Sequence, residues 1–274
     1  MFLFSVRNIL HSPCEQCFKM PSFLIIIMKT KEYSLIGKSI FFWKKGILAV
    51  GDLHLGFEYK IQQSGVLVPE TQVEEVKKEL KAIFEEIKRK KLKLKKIIFI
   101  GDIKHSFSYE WKEKNYFNDI LKFLKNYVDD KNIILIKGNH DTIDYSFSDR
   151  LKDYYISGDV AFTHGHKSFP EIFNEKVKTI VIGHLHPSVI ILDNSGIKRE
   201  KYKCFLMGKF KKKKIIILPS FLATIEGTTI NSLEHEYEDY FSIIPKKSLI
   251  NFDVYIEGGK EIYNFGKIKS LIKD

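Results

Sequence analysis

The chain has 274 residues, with 45 Lys+Arg against 34 Asp+Glu and a formal net charge of +11. A composition of 44% hydrophobic and 29% charged residues excludes a wholly disordered chain, a collagen-like repeat and a low-complexity tract. Three cysteines exclude a disulfide framework and fit a reducing compartment, and no apolar run approaches the roughly 20 residues of a bilayer-spanning helix. The expectation is a soluble cytoplasmic protein whose positive charge suggests an acidic partner, weakly, because lysine is common on any solvated surface.

Residues 1–28 mix short apolar pieces with Pro13, Pro21 and the pair Cys14-Glu-Gln-Cys17. They read as an N-terminal extension, and as a start-site artefact if the natural chain begins at Met20 or Met28. The cysteine pair offers only two of the four ligands of a structural zinc. Residues 29–274 read as one domain, since no linker interrupts them.

From Ser39 onward, short apolar runs end abruptly in glycine or a polar cluster, the pattern of buried strands feeding loops. Strands are expected at Gly46–Val50, Ile97–Ile100, Ile133–Ile136, Val160–Thr163, Thr179–Ile182 and Ile215–Leu218. A helix is predicted over Glu70–Lys90, where Val73, Val76, Leu80, Ile83, Phe84 and Ile87 recur at helical spacing. Another is predicted over Glu110–Tyr127, carrying Phe117, Ile120, Leu121 and Leu124. Alternation of strands and helices predicts an α/β sheet whose strand ends carry the chemistry. After Leu192 the chain is richer in strands, with Phe252–Ile256 a late candidate.

The strand ends share an unusual residue type. Gly51-Asp52-Leu53-His54, Gly101-Asp102, Gly138-Asn139-His140-Asp141, His164-Gly165-His166 and Gly183-His184-Leu185-His186 follow five of the strands. Seven of the nine histidines lie in or beside these loops. Histidine, carboxylate and amide oxygen without thiolate suit a borderline divalent cation such as Mn, Fe, Co, Ni or Zn. In Asp52-x-His54 and His184-x-His186 the ligands are two residues apart, so just past a strand end they can converge. Glycine before each ligand permits tight turns and close approach of backbone to an anion. The count exceeds one ion, so two metals are expected, able to polarise a phosphoryl oxygen and acidify a water.

This ordered set resembles the calcineurin-like metallophosphoesterase family, from about Leu48 to Pro187, with Gly-Asn-His-Asp and Gly-His-x-His in order. It looks most like an archaeal phosphoesterase branch related to the bacterial ligase-associated phosphoesterases, through Gly51-Asp-Leu-His-Leu-Gly-Phe-Glu58, Gly101-Asp-Ile-Lys-His105, Leu218-Pro-Ser-Phe-Leu222 and Gly227. The resemblance implies a four-layer αββα sandwich of two facing sheets flanked by helices. It implies Asp52, His54 and His186 on one metal, Asn139, His164 and His184 on the other, and Asp102 bridging. His140 would stand by the scissile bond as catalytic residue rather than ligand. Manganese is the foremost metal, with nickel, iron, cobalt or zinc as alternatives.

At the second motif this chain departs from many members by carrying Lys104 and His105. They are candidates for substrate binding, or else a surface lysine and a histidine behind the ligands. His166 would orient its neighbours, and Asp141 would fix an imidazole or cap a helix. Two basic runs, Lys88–Lys96 and Lys209–Lys214, could track a nucleic-acid backbone. The first instead complements a helix dipole and the second guards a sheet edge on the structural reading, and no aromatic-rich recognition motif accompanies either. The function expected is metal-dependent hydrolysis of a phosphodiester, in nucleic acid or a nucleotide. A phosphomonoesterase with the same ligands, and a non-catalytic metal-binding scaffold, stand as alternatives.

Overall fold

A computed structural model describes residues 27–141, 148–192, 198–232, 242–258 and 261–272. Most of the N-terminal extension, including Cys14 and Cys17, lies outside the described residues.

Two sheets stack face to face. The first runs in chain order through β1 (Ile27–Lys29), β2 (Ser34–Ile36), β3 (Ser39–Phe42), β4 (Ile47–Gly51), β5 (Lys96–Ile100), β6 (Ile133–Ile136) and β7 (Leu151–Lys152). β1 to β4 form an antiparallel meander, and β4 to β7 are parallel. The boundary expected after residue 28 therefore falls inside a paired strand. The second sheet begins with β8 (Tyr154–Ser157), β9 (Val160–Thr163), β10 (Thr179–Ile182) and β11 (Pro187–Leu192). It continues with β12 (Arg199–Phe210), β13 (Lys213–Ile217), β14 (Thr228–Thr229), β15 (Asp253–Gly258) and β16 (Glu261–Lys267). Its order is β14-β11-β12-β13-β10-β9-β8, with the β15–β16 hairpin joined to β12.

Strand alternation builds three apolar layers. In β5, Ile98 and Ile100 face the second sheet while Ile97 and Phe99 face the helices. In β10, Val181 turns to the inter-sheet core and Ile180 and Ile182 turn outward. Both faces are covered, so these strands read as continuous apolar runs, as parallel strands do. The helical layer on the first sheet is α2 (Gln72–Arg89) and α3 (Trp111–Leu124). Val76, Leu80, Ile83, Phe84 and Ile87 of α2 and Phe117, Ile120, Leu121 and Leu124 of α3 are buried in one cluster with the outer face of β4 to β6. On the second sheet the covering elements are short: residues 170–173, α4 (Lys246–Leu249) and α5 (Ile268–Leu271).

Both ends of α2 have side-chain partners. α2 starts at Gln72 because the buried Glu58 carboxylate takes the N–H groups of Thr71 (2.7 Å) and Gln72 (3.0 Å). At its other end Arg89 grips Glu86 through two hydrogen bonds of 2.6 Å. The first basic run thus begins as a helix terminus. The second does not guard an edge: β13 lies between β10 and β12, and Lys211 and Lys212 form the hairpin turn before it with positive φ. The meander β1 to β3, the short α1 (Phe57–Gln63) and strands β8, β11, β12 and β16 had no counterpart in the sequence reading, being too short or too mixed in polarity for a periodic signal.

Candidate metal centre

The five histidine and carboxylate loops leave the C-terminal ends of β4, β5, β6, β9 and β10. Parallel order within each sheet carries all five to one pole, and the stacking of the sheets brings them face to face. Turning so sharply off a strand strains the backbone. His54, Asp102, His184 and His186 have φ of 43°, 43°, 68° and 42°, in a region that costs a non-glycine residue on the order of 1 kcal/mol. The other described non-glycine residues with positive φ are Lys91, Lys211 and Lys212, all in turns.

Two glycines allow the loops to meet. A Cβ on Gly138 would lie 2.1 Å from Asp102 Oδ1, and one on Gly183 would lie 2.5 Å from Asp52 Oδ2. The anion that approaches the backbone is thus the protein's own carboxylate. The His184 N–H donates to Asp52 (3.1 Å), and the His140 N–H donates to Asp102 Oδ1 (2.9 Å).

Ligand-capable atoms gather in overlapping groups. Asp52, His54, Asp102 and His186 form one, and Asp102, His164 and His184 form another, with atoms in each group within 4.8 Å of one another. Asp102 belongs to both. His54 Nε2 lies 3.1 Å from His186 Nε2 and 3.8 Å from Asp102 Oδ2, while His186 Nε2 lies 3.3 Å from Asp52 Oδ1. His164 Nε2 is 3.3 Å from Asp102 Oδ2 and 3.0 Å from Asn139 Oδ1, and its Nδ1–H donates to the Ile100 carbonyl at 3.0 Å.

The electrostatics fit divalent cations. Burial would raise Asp52, but the imidazoles of His186 and His164 outweigh it and hold the carboxyl below its usual range. Burial likewise opposes ionisation of Asp102, and His164, His54 and His140 override it. Burial and the neighbouring His186 push His54 down to about 3, so its ring is neutral and offers a lone pair. His164 moves the other way: burial disfavours its charge, yet Asp102 and Asp52 pull it up to about 9. The carboxylates draw positive charge to the nitrogen they face, the demand a divalent cation meets.

His140 sits at the mouth, half-buried, with Nε2 3.9 Å from Asp102 Oδ2 and its ring edge-on to His54 at 5.0 Å. Its Nδ1–H donates to the His105 carbonyl, so that carbonyl orients the imidazole. Asp141, weighed as the orienting group, instead receives the N–H groups of Gly138 (2.9 Å) and Ile103 (3.1 Å), tying the β5 and β6 loops together. Burial, with Asp102 nearby, raises its carboxyl to about 6. His105 lies within reach of His54 and His140 in a third group, and burial lowers it to about 4. Lys104 is buried, and its ammonium is held by the carbonyls of Ser106 and Ser108, turned into its own loop. His166 packs 5.1 Å from His164 and 6.1 Å from His184, beside the ligand groups.

Some supporting residues had no motif to announce them. Gln72 donates to the carbonyls of Leu53 and His54 and accepts from the Gly56 N–H, holding the first loop. Lys203 donates to Ser220 and to the Leu222 carbonyl, and the Phe221 N–H of the same strap reaches the Asp52 carbonyl at 3.0 Å. Burial, reinforced by Lys38, pushes Lys203 down to about 7. Both lie among other polar and charged residues, Gln72 in Pro-Glu-Thr-Gln-Val-Glu-Glu and Lys203 after Arg-Glu-Lys-Tyr, so nothing in the sequence singles them out.

Both basic runs lie at the far pole. Lys96 opens β5 beside Ile47, and Lys214 pairs with Thr179 at the start of β10. About five residues, or roughly 16 Å, of strand separate them from the metal loops.

The sequence profile of calcineurin-like phosphoesterases matches residues 46–215, more than half the chain. Among solved structures the fold is similar to that of a Pseudomonas putida nuclease, MPE, with a TM-score of 0.50 and 16% identity over 85% of this chain and 96% of that one. A conserved uncharacterized protein of Streptococcus pneumoniae, predicted to be a phosphoesterase, is 14% identical over 81% of this chain and 97% of its own, with a TM-score of 0.30. No curated protein matches the chain. Among the described residues no helix is long and apolar enough to cross a membrane.

Proposed function

The chain belongs to the calcineurin-like phosphoesterase family, and from that premise we propose that it hydrolyses a phosphodiester at a two-metal site. The observation that carries this reading is Asp102, shared by two groups of ligand atoms. Asp52, His54 and His186 would hold one cation and Asn139, His164 and His184 the other, with Asp102 between. Such cations, manganese foremost, supply a Lewis acid for a phosphoryl oxygen and an acidified water. The hydrogen bonds of Asp52 and Asp102 to backbone N–H groups fix both carboxylates before substrate arrives. His140, with Nδ1–H tied to the His105 carbonyl, turns Nε2 toward the cluster, where it can hydrogen-bond the substrate or carry a proton to the leaving oxygen.

A diester is favoured over a monoester because the Lys104 ammonium, the cation best placed in sequence to grip a terminal phosphate, is engaged by loop carbonyls. Within the family we place the chain in the archaeal branch related to ligase-associated phosphoesterases, since two parts of that motif set support the first metal loop: Glu58 holds the start of the helix whose Gln72 binds it, and Phe221 of the 218–222 strap reaches the Asp52 carbonyl. Cys204, buried and free, fits a reducing cytoplasmic setting.

The test is hydrolysis of bis(p-nitrophenyl) phosphate by metal-stripped protein titrated with Mn, Ni, Co, Zn and Mg, against p-nitrophenyl phosphate. Metal-dependent turnover of the diester supports the reading. Strong preference for the monoester would replace it with a phosphomonoesterase, and two bound metals without any turnover would replace it with a scaffold.

A further inference from the structure

The strap at residues 218–222, directly after β13, is buried throughout yet belongs to no strand. Buried carbonyls outside a sheet must find a donor elsewhere. Lys203, in the middle of β12, is that donor. Its Nζ lies 3.2 Å from the Ser220 carbonyl and 3.0 Å from Ser220 Oγ, and it also donates to the Leu222 carbonyl. Three acceptors match the three N–H bonds of an ammonium, so this lysine is occupied by the protein's own chain rather than turned to a substrate.

Those contacts end one peptide group away from a metal loop. The Ser220 carbonyl and the Phe221 N–H belong to the same peptide and point in opposite directions, the first to Lys203 and the second, at 3.0 Å, to the Asp52 carbonyl. A cation at the carbonyl end polarises that peptide and strengthens the hydrogen bond made by its N–H. The strap also lies against the end of β4, where a Cβ on Gly51 would meet the Pro219 carbonyl at 3.0 Å and Leu218 Cβ at 3.3 Å. Lys38, between β2 and β3, pairs with Glu79 of α2 at 2.7 Å and lies 5.2 Å over the Phe221 ring. Burial and Lys38 disfavour the charge on Lys203, while the carboxylates of Glu79 and Asp52 favour it.

We infer that Lys203 is a positioning residue for the metal centre: from the second sheet its ammonium, acting through the Ser220–Phe221 peptide, fixes the backbone of Asp52 in the first sheet and so the carboxylate that holds one of the two cations. The inference rests on the two-metal reading and adds to it a residue outside every metal loop. Without the ammonium, two buried carbonyls lose their donor, the strap shifts to recover one, and Asp52 loses a fixed partner. β13, which leads into the strap, borders β10 and β12, while Asn139 and His164 follow β6 and β9. The two cations should therefore respond unequally.

The experiment titrates the full chain and its Lys203→Met variant with manganese, following heat and the paramagnetic resonance of the bound ions. In the variant one ion should bind at least about tenfold more weakly while the other binds as before, so that at limiting metal the signal of a coupled manganese pair gives way to that of a single ion. In the metal-free chain, hydrogen exchange at the Phe221 amide should become faster in the variant, because its acceptor on Asp52 is no longer held in place. Lys203→Arg, which keeps a charged donor, should restore both readings. If the methionine variant does not fold, Lys203→Gln, which keeps a donor without the charge, is read in the same way. Equal weakening of both ions, or unchanged exchange at Phe221, overturns the inference. A lower melting temperature with both ions held as before also overturns it, because Lys203 would then serve stability alone. An unaltered chain that binds no manganese pair defeats the two-metal reading instead, and exchange at Phe221 still decides whether Lys203 fixes the Asp52 loop.

Discussion

The two poles of the sandwich are ends of the same strands, yet they differ in nearly every physical respect. At the C-terminal pole of β4, β5, β6, β9 and β10, seven histidines gather, backbone is strained at four of them or their carboxylate partners, and glycines 138 and 183 admit neighbouring side chains. At the N-terminal pole, Lys93, Lys95 and Lys96 line one groove, Lys213 donates to the carbonyls of Asn174 and Val177, and Lys214 donates to the Tyr33 phenol. Sequence alone allows the two basic runs to track a polyanion, beside the structural roles it also gives them. The structure gathers the ligand-capable side chains at the other pole, because loops at the C-terminal ends of parallel strands face a common crevice.

Breaking the shared carboxylate should have the largest effect. Asp102→Ala is expected to lose metal and activity together, with kcat/KM on bis(p-nitrophenyl) phosphate falling about a thousandfold or more; retention of two metals per chain by elemental analysis would show that Asp102 does not bridge. Next comes His140→Ala, which should lower kcat by roughly 10²–10⁴ while metal content stays at two. Metal loss in that variant would make His140 a ligand.

Gly138→Ala sharpens the comparison without replacing a ligand. Its Cβ would collide with Asp102, so the loops must part, and activity should fall about 10–100-fold with weaker metal retention. Asp141→Asn tests the tie between the β5 and β6 loops. An amide nitrogen facing the N–H of Gly138 or Ile103 leaves a buried donor unsatisfied, at about 2 kcal/mol, which thermal melting would register as a drop of roughly 4–8 °C. An unchanged melting temperature would mean the tie is dispensable. The smallest effect belongs to the far pole: Lys93, Lys95 and Lys96 all changed to Gln should shift stability by no more than about 0.5 kcal/mol and small-diester turnover by less than about twofold. A large loss of turnover there would end the division of labour between the poles.

Much of this is legible in the sequence. The strands Ile133–Ile136, Val160–Thr163 and Thr179–Ile182 coincide with β6, β9 and β10, and the two long helices differ from expectation by a few residues at their ends. Continuous apolar runs and three-to-four-residue spacing are local signals that burial reinforces. The short meander, by contrast, has strands of three or four residues that carry Lys29, Ser34 and Ser39, so no continuous apolar run marks them. Nor do the letters Phe-Ser-Tyr-Glu-Trp at residues 107–111 show that Phe107, Tyr109 and Trp111 are exposed, because an aromatic in sequence is more often core.

What the sequence determined by itself is which residues end the strands, and so which chemistry the protein owns: Asp52 and His54 or His184 and His186, two residues apart past a strand, are a local fact of the chain. Only the tertiary structure decided that Asp102 stands between groups drawn from loops more than a hundred residues apart, that the Lys104 ammonium turns inward, that Asp141 binds backbone rather than imidazole, and that the lysine runs lie at the opposite pole. Each of these depends on strand order and on how two sheets face one another, and such long-range register is set by the packing of the whole core rather than by any short stretch of residues.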